Sequence, residues 1–378
     1  MQSKSIKADS VTALQAQIDQ IIEHSFQPTL AIVFTSPAFS LTEITNTFDS
    51  RGIELFGLTT AGEIVDGELV DSSIVGLVFD INKDYYQLHF IENNLETLFK
   101  TGQAAGEFAK NQFKHPALII GSGGVVVDAE QIIYGYLDVL GEGVPIFGGL
   151  AGDDFELKET LAFTHQQITN NGVVTLILDN DKIAVDGLAI CGWEPIGNVN
   201  TITKAEGNIV YTINDEPALD VFIRYFGYFD NTEVKGKPVS SVSAQYPLQL
   251  FREDGTTVLR SPLVGDETEK TLTFAGSVKN GDKFRFSIAP GFEVIDQTVS
   301  EFGDFNAEIP ETDAVILFSC KGRHAALGPL IEDEVEGIYN YWNKPMIGFF
   351  SYGEIGNTKG GGCDFHNETC SLVLLKEK

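Results

Sequence analysis

The chain has little sulfur to work with: four cysteines and two methionines in 378 residues. So few thiols in so long a chain exclude a disulfide scaffold, and a chain of this length builds a sufficient core without one. Basic residues are also scarce, 25 against 54 acidic ones, which leaves a formal net charge of −29. A surface of that sign repels nucleic-acid phosphates and anionic bilayers, so neither nucleic acid nor membrane is expected as a partner. The first ten residues, MQSKSIKADS, hold no apolar stretch of the signal-peptide kind. No run approaches the roughly eighteen apolar residues of a membrane span. Together these absences predict a soluble cytoplasmic protein.

What is abundant is glycine, 38 residues, and phenylalanine, 27, a balance that suits a strand-rich fold with many tight turns. Three stretches share one plan of strand, helix, strand, glycine turn and final strand. The first runs LAIVFTS, SLTEITNTFDSRG, ELFGLTTAGEI and SIVGLVF; the second ALIIGSGG, DAEQIIYGYLDVLGEG, PIFGGLAGDD and GVVTLIL; the third AVILFSCKGR, GPLIEDEVEGIYNYWN, PMIGFFSYGEI and CSLVLL. Ser40 with Glu43, and Asp128 with Gln131, are candidate helix caps, while Gly52 and Gly141 stand where a left-handed residue ends a helix. Continuous apolar entry strands predict sheets buried on both faces under helices.

The glycine turns end on a carboxylate: Gly62 and Glu63, Gly152 and Asp153, Gly353 and Glu354. Such a group lies at the end of a strand, where open α/β sheets place ligands, although a turn bearing an ordinary acid reads the same way. Between the second and third units the pattern turns to hairpins, with Glu206-Gly207 and Asn280-Gly281 as two-residue turn signals. The expected fold class is α/β with α+β elements: two domains of mixed sheets with helical cover, divided as 1–195 and 196–378.

GLTTAGEI, GGLAGDD, CGWEPIG followed by TKAEGNIVYTINDEPALDVF, SCKGR, FFSYGEIG and FHNET resemble, in order, the recurring segments of the FIST family of bacterial sensory proteins. The resemblance covers almost the whole chain and makes 1–195 FIST N-like and 196–378 FIST C-like. It implies a non-catalytic cytoplasmic sensor of a small ligand, for which amino acids have been proposed. Some members, similar to the nitric-oxide-sensing NosP proteins, bind haem and regulate a histidine kinase or a cyclic-di-GMP cyclase or phosphodiesterase. No kinase, cyclase, phosphodiesterase or DNA-binding segment is recognisable in these residues, so signalling through a docked partner is expected, and a homodimer is compatible with that plan.

A haem needs an axial histidine or thiolate and an apolar pocket. Of the six histidines, His24, His89, His115 and His165 read as ordinary helix, strand or surface residues. His324 follows Arg323 directly after a buried strand, and His366 lies in FHNET. Arg323 suits a carboxylate, on a haem propionate or an amino acid, through paired hydrogen bonds. The expected cofactor or ligand set is thus Arg323, His324, Gly353, Glu354 and His366, with Arg323 and Glu354 meeting the two charged ends of an amino acid. Cys320, Cys363, His366 and Cys370 form a third option, a zinc, iron–sulfur or redox site. Strand alternation places Cys363 on the face opposite His366 and Cys370, so this option requires the glycine run 360–362 to bend the chain. No G-x-S-x-G, Walker, H-E-x-x-H or Rossmann fingerprint points to an enzyme.

Overall fold

A computed structural model describes residues 1–23, 26–93, 97–125, 127–226, 246–252, 255–289 and 291–378; His24 therefore lies outside the described residues. The three repeated stretches form three six-stranded sheets of identical strand order. In each, a parallel pair lies at the centre: Leu30–Thr35 with Glu54–Thr59, Pro116–Ser122 with Ile146–Leu150, and Ala314–Cys320 with Met346–Ser351. A closing strand runs antiparallel beside the first of each pair: Ile74–Asp80, Gly172–Asp179 and Cys370–Glu377. Outside it runs an outer strand: Gln2–Ala8, Tyr86–Glu92 and Ile183–Ile190.

The last two strands of every sheet come from another repeat. The hairpin after the first glycine turn, Glu63–Val65 with Glu68–Val70, adds to the third sheet beside Met346–Ser351. Ala162–Thr164 with Ile168–Thr169, from the second repeat, completes the first sheet. Glu354–Asn357 with Cys363–His366, from the third, completes the second. The exchange closes on itself, so no sheet is complete without a neighbour. Gly57 shows why the turn strands carry glycine: a Cβ there would lie 2.1 Å from the ring of Phe163 on the received strand.

Apolar entry strands are explained by burial on both faces. Ile32 and Phe34, Ala117 and Ile119, and Ile316 and Phe318 meet in one core between the three sheets, where the Phe34 ring lies 4.6 Å from Phe349 and 5.9 Å from Phe318. The alternate residues, such as Ala31 and Val33 or Val315 and Leu317, pack outward with the helices. Each buried side chain of this size contributes about 1.5–3 kcal/mol relative to exposure. Ser40 caps the helix Leu41–Asp49 as expected, and Gly52 and Gly141 have positive φ. Asp128 instead directs its carboxylate to the Ser277 hydroxyl, outside its own helix.

The expected division at 195/196 falls inside the strand Glu194–Glu206. Ile183–Ile190 belongs to the third repeat, and the β-rich segment that follows is inserted between this outer strand and the helix Glu293–Glu308. The inserted module has its own core around Phe222, Phe274, Phe284 and Phe286. It is fastened to the body by fully buried Arg260 and by Arg252, which approach Glu130 Oε1 at 2.9 and 2.6 Å. Asn280-Gly281 does not join paired strands: Thr271–Phe274 and Lys283–Ile288, on either side, pair with different neighbours. Among the described residues no helix is long and apolar enough to cross a membrane.

Candidate functional site

The three acidic turn residues are occupied from within. Glu63 accepts hydrogen bonds from the Thr60 hydroxyl and, at 3.0 Å, from Ser73 N–H. Glu354 accepts from the Ser351 hydroxyl at 2.5 Å and the Thr369 hydroxyl at 2.8 Å. Asp153 accepts from the backbone N–H groups of Leu157, Lys158 and Glu159 and from the Tyr352 hydroxyl. Each carboxyl fastens its glycine turn to the start of the closing strand or to the adjacent loop. Burial pushes Glu63 up to about 7 and Glu354 up to about 8, so both hold protons well above the usual carboxylate range.

Arg323 is fully buried and cannot meet a ligand. Its guanidinium donates to both Glu334 oxygens, with contacts of 2.5–3.2 Å, and also to Thr298 Oγ1, Cys191 O and Glu368 O. The expectation that Arg323 and Glu354 grip opposite ends of an amino acid is corrected accordingly. Gly353 is a packing residue, with the Phe365 ring 2.2 Å from where its Cβ would lie.

The sequence segment FHNET is not one strand. The strand Cys363–His366 ends, residues 367–369 turn with Glu368 at φ +58°, and Cys370 opens a strand of a different sheet. Cys363 pairs in register with Asn357, whereas Cys370 pairs with Ser319 and Ile190. Among the described residues no three His, Cys, Asp or Glu side chains are placed to hold a metal ion, so Cys320, Cys363, His366 and Cys370 do not assemble into the zinc or iron–sulfur site. Burial pushes the Cys320, Cys363 and Cys370 thiols up, away from the thiolate form a metal or redox centre uses.

Two spaces adjoin the remaining candidates. A groove of about 680 Å³ is lined by Cys363 and His366, but also by Arg252, Asp138, Glu142 and Asp364. Within it His366 Nε2 lies 3.0 Å from the Gly356 carbonyl. The His324 ring lies flat on Phe350, centroids 4.1 Å apart, with Nδ1 3.2 Å from Lys321 Nζ. The space next to Cys320 has a volume of only about 30 Å³, whereas ligand pockets commonly run to hundreds of Å³. A charged groove on one side and a narrow cleft on the other do not supply a free axial donor in an apolar pocket of haem size. The residues around His324, His366 and the C-terminal cysteines do not fit a haem.

The narrow cleft is nevertheless the most distinctive site. It lies at the carboxyl ends of Ala314–Cys320 and Met346–Ser351, where the inserted module contributes Ser261, Pro262, Leu263 and Ala275, and the second repeat contributes Phe155 and Leu157. Its polar lining includes Ser351, Tyr352, Asn367 and Glu368. Glu368 is fully buried; Oε1 accepts from Ser261 Oγ at 2.7 Å, while Oε2 has no hydrogen-bond partner. Burial pushes this carboxyl up to about 8, against the opposing pull of the Ser261 hydroxyl and Arg323. Gly322 permits the approach: a Cβ there would lie 2.3 Å from Glu368 Oε1.

Sequence reasoning missed Glu368, yet a signal for it exists in the repeats. The residue two before the closing strand is Ser72 in the first repeat and Glu368 in the third, both with positive φ, and the next residue, Ser73 or Thr369, donates its N–H to the turn glutamate. A left-handed turn residue is thus common to both repeats, but a carboxylate on it is particular to the third.

The FIST N domain matches residues 29–216, and the FIST C domain matches residues 218–357. The uncharacterized protein MJ1623 of Methanocaldococcus jannaschii is 24% identical over 261 residues, covering 60% of this chain and 48% of that protein. The chain thus spans about half the length of the curated relative it matches.

Proposed function

Because the chain belongs to the FIST family, whose domains serve small-ligand sensing and signal transduction, we propose that it is a receptor for a small compound bearing a primary ammonium group, amino acids included. The observation that carries this reading is the buried Glu368 carboxyl, with one oxygen lacking a partner, in the lining of a cleft between the body and the inserted module. An unpaired buried carboxyl costs stability and is expected either to stay protonated or to meet a cation. An ammonium donor satisfies Oε2 and exchanges a proton for a fixed charge.

The cleft sets the size of the head group. A water needs about 10–15 Å³ of such volume, so a space of about 30 Å³ takes roughly two heavy atoms. Methylammonium therefore serves as the minimal probe, and anything larger extends outward past Phe155 and Leu157. Ligand contacts in the cleft would bridge the inserted module, through Ser261 and Leu263, to the third and second repeats. That bridging supplies a means of transmitting occupancy to a docked partner, for which the family resemblance suggests a histidine kinase or a cyclic-di-GMP enzyme.

Thermal unfolding in the presence of methylammonium, glycine and L-alanine, with sodium and potassium salts as controls at matched ionic strength, tests the reading at pH 8.5. A ligand at a hundred times its dissociation constant adds about 2.7 kcal/mol. Stabilisation by an amine that is lost in Glu368→Gln supports it. A flat response to every amine, or an equal response in the variant, rejects it.

A further inference from the structure

Lys321, in the lining of the same cleft, presents a different chemistry. In a chain with 54 acidic residues, a partly buried lysine would ordinarily be ion-paired. Among the described residues its ammonium instead donates to His324 Nδ1 at 3.2 Å and sits 5.4 Å from the centroid of the Phe350 ring. The imidazole is held against the same ring, 4.1 Å between centroids, so the amine and its acceptor share one platform. Lys321 also lines the cleft beside Cys320 and Tyr352. Carboxylates act on it from a longer range: Asp71 and Glu63 of the first repeat, and Asp154 of the adjoining loop.

We propose that Lys321 is a covalent capture site for small uncharged aldehydes, which it binds as an iminium with His324 as the proton acceptor. A lysine nucleophile needs a base to take its proton and a setting that does not fix the ammonium in an ion pair; both are present here. Burial lowers the basicity of Lys321, and burial with the neighbouring ammonium lowers that of His324 to about 4, so the imidazole is neutral, its Nδ1 lone pair is open to the ammonium, and a proton it takes is held only transiently.

The reaction balances without another reagent. The ammonium passes one proton to Nδ1, and the Nζ lone pair forms a bond to the carbonyl carbon as the C=O π pair moves to oxygen. That oxygen takes the proton back from the imidazolium to give a carbinolamine. A second proton from Nζ then leaves with the hydroxyl as water, and the C=N bond forms. One aldehyde and one ammonium give one iminium and one water, with a positive charge before and after.

Retaining that charge is what selects the class. The iminium still faces Asp71 and Asp154 as a cation, whereas carbamate or amide formation would leave those acids uncompensated, and the carboxylate of an α-keto acid would be repelled by them. This inference does not rest on the Glu368 reading, since its reacting atoms are different.

Exposing native protein to limiting glycolaldehyde with sodium cyanoborohydride, then mapping peptides by mass, reads the site directly. The expected result is at least tenfold higher occupancy of the reduced adduct at Lys321 than at the median of the other lysines, with the preference lost in urea-unfolded protein. His324→Asn should bring Lys321 down to the common level. Labelling of Lys321 no greater than that of the other lysines, or undiminished labelling in His324→Asn, overturns the proposal.

Discussion

If a ligand ammonium takes the place of the proton on Glu368, binding must release that proton. With the free carboxyl pushed up to about 8, about nine molecules in ten carry it at pH 7, so close to one proton should leave per ligand bound at that pH. The sign follows directly: the cation binds the ionised carboxylate, so affinity rises with pH through the neutral range and levels off above about 8. Below that plateau the change approaches tenfold per pH unit, or about 1.4 kcal/mol. Calorimetric titration of the protein with methylammonium at pH 7, in phosphate and in HEPES, neither of which carries a primary amine, separates the released proton from the binding heat because the two buffers differ in ionisation enthalpy. A heat that depends on the buffer by nearly one proton, together with affinity rising from pH 6 to 8, is the expected outcome. Equal heats in the two buffers, or an affinity flat across that range, would refute the exchange. Glu368→Gln should remove the buffer dependence along with the binding.

Two further outcomes concern the buried charges. Arg323→Met strands the Glu334 carboxylate in the core, a loss expected to cost about 3–5 kcal/mol in urea unfolding, and Arg323→Met with Glu334→Leu should recover much of it; a double variant no more stable than the single would count against the pairing. The raised carboxyls Glu63, Glu354 and Glu368 bind protons more tightly folded than unfolded, so their contribution is complete below about pH 4.5 and is lost as pH rises through 7 to 8. The urea midpoint should therefore fall by an amount equivalent to at least ~1 kcal/mol between pH 5.5 and 8.5, while Glu130, held down near 2 mainly by Arg260 and Arg252 against the burial that raises it, sets the acid limit; a midpoint that rises over this interval contradicts the sign.

The repeats were legible because each central strand buries both faces, which writes a continuous apolar run such as AVILF into the sequence. The exchange between repeats was not. Its donated hairpin Glu63–Val65 with Glu68–Val70 has strands of three residues, too short for an alternation pattern, and its position is chosen by pairing with Met346–Ser351 far along the chain. Arg323 misled for a related reason. An arginine at the end of a buried strand looks like a ligand group, and its partner Glu334, in the helix Ile331–Trp342, looks like one more surface acid among Glu332, Asp333 and Glu336. Burial of that one position is a tertiary fact. The C-terminal cysteines were grouped by spacing alone, and the turn at 367–369 sends them to different sheets.

Comparison of the three repeats narrows the functional question to one of them. At the carboxyl end of the first central strand they carry Ser36, Gly123 and Cys320, each donating its N–H to the residue just before its closing strand or at its start: Ser73, Gly172 and Thr369. The framework is therefore the same three times, and a carboxylate that merely secured a turn would be expected to find its partners, as Glu63, Asp153 and Glu354 do. Glu368 is the extra acid. It occupies the place held by Ser72 in the first repeat, and it is faced by the inserted module through Ser261. The insertion covers what would otherwise be a solvated side chain and leaves one oxygen without a donor. A cover that stabilised the fold alone would be expected to bring an ion-pair partner with it, as Arg260 and Arg252 do for Glu130 across the same junction, where Glu130 Oε2 likewise has no hydrogen-bond donor. The missing donor is what a ligand can provide, and the insertion is the element positioned to register its arrival.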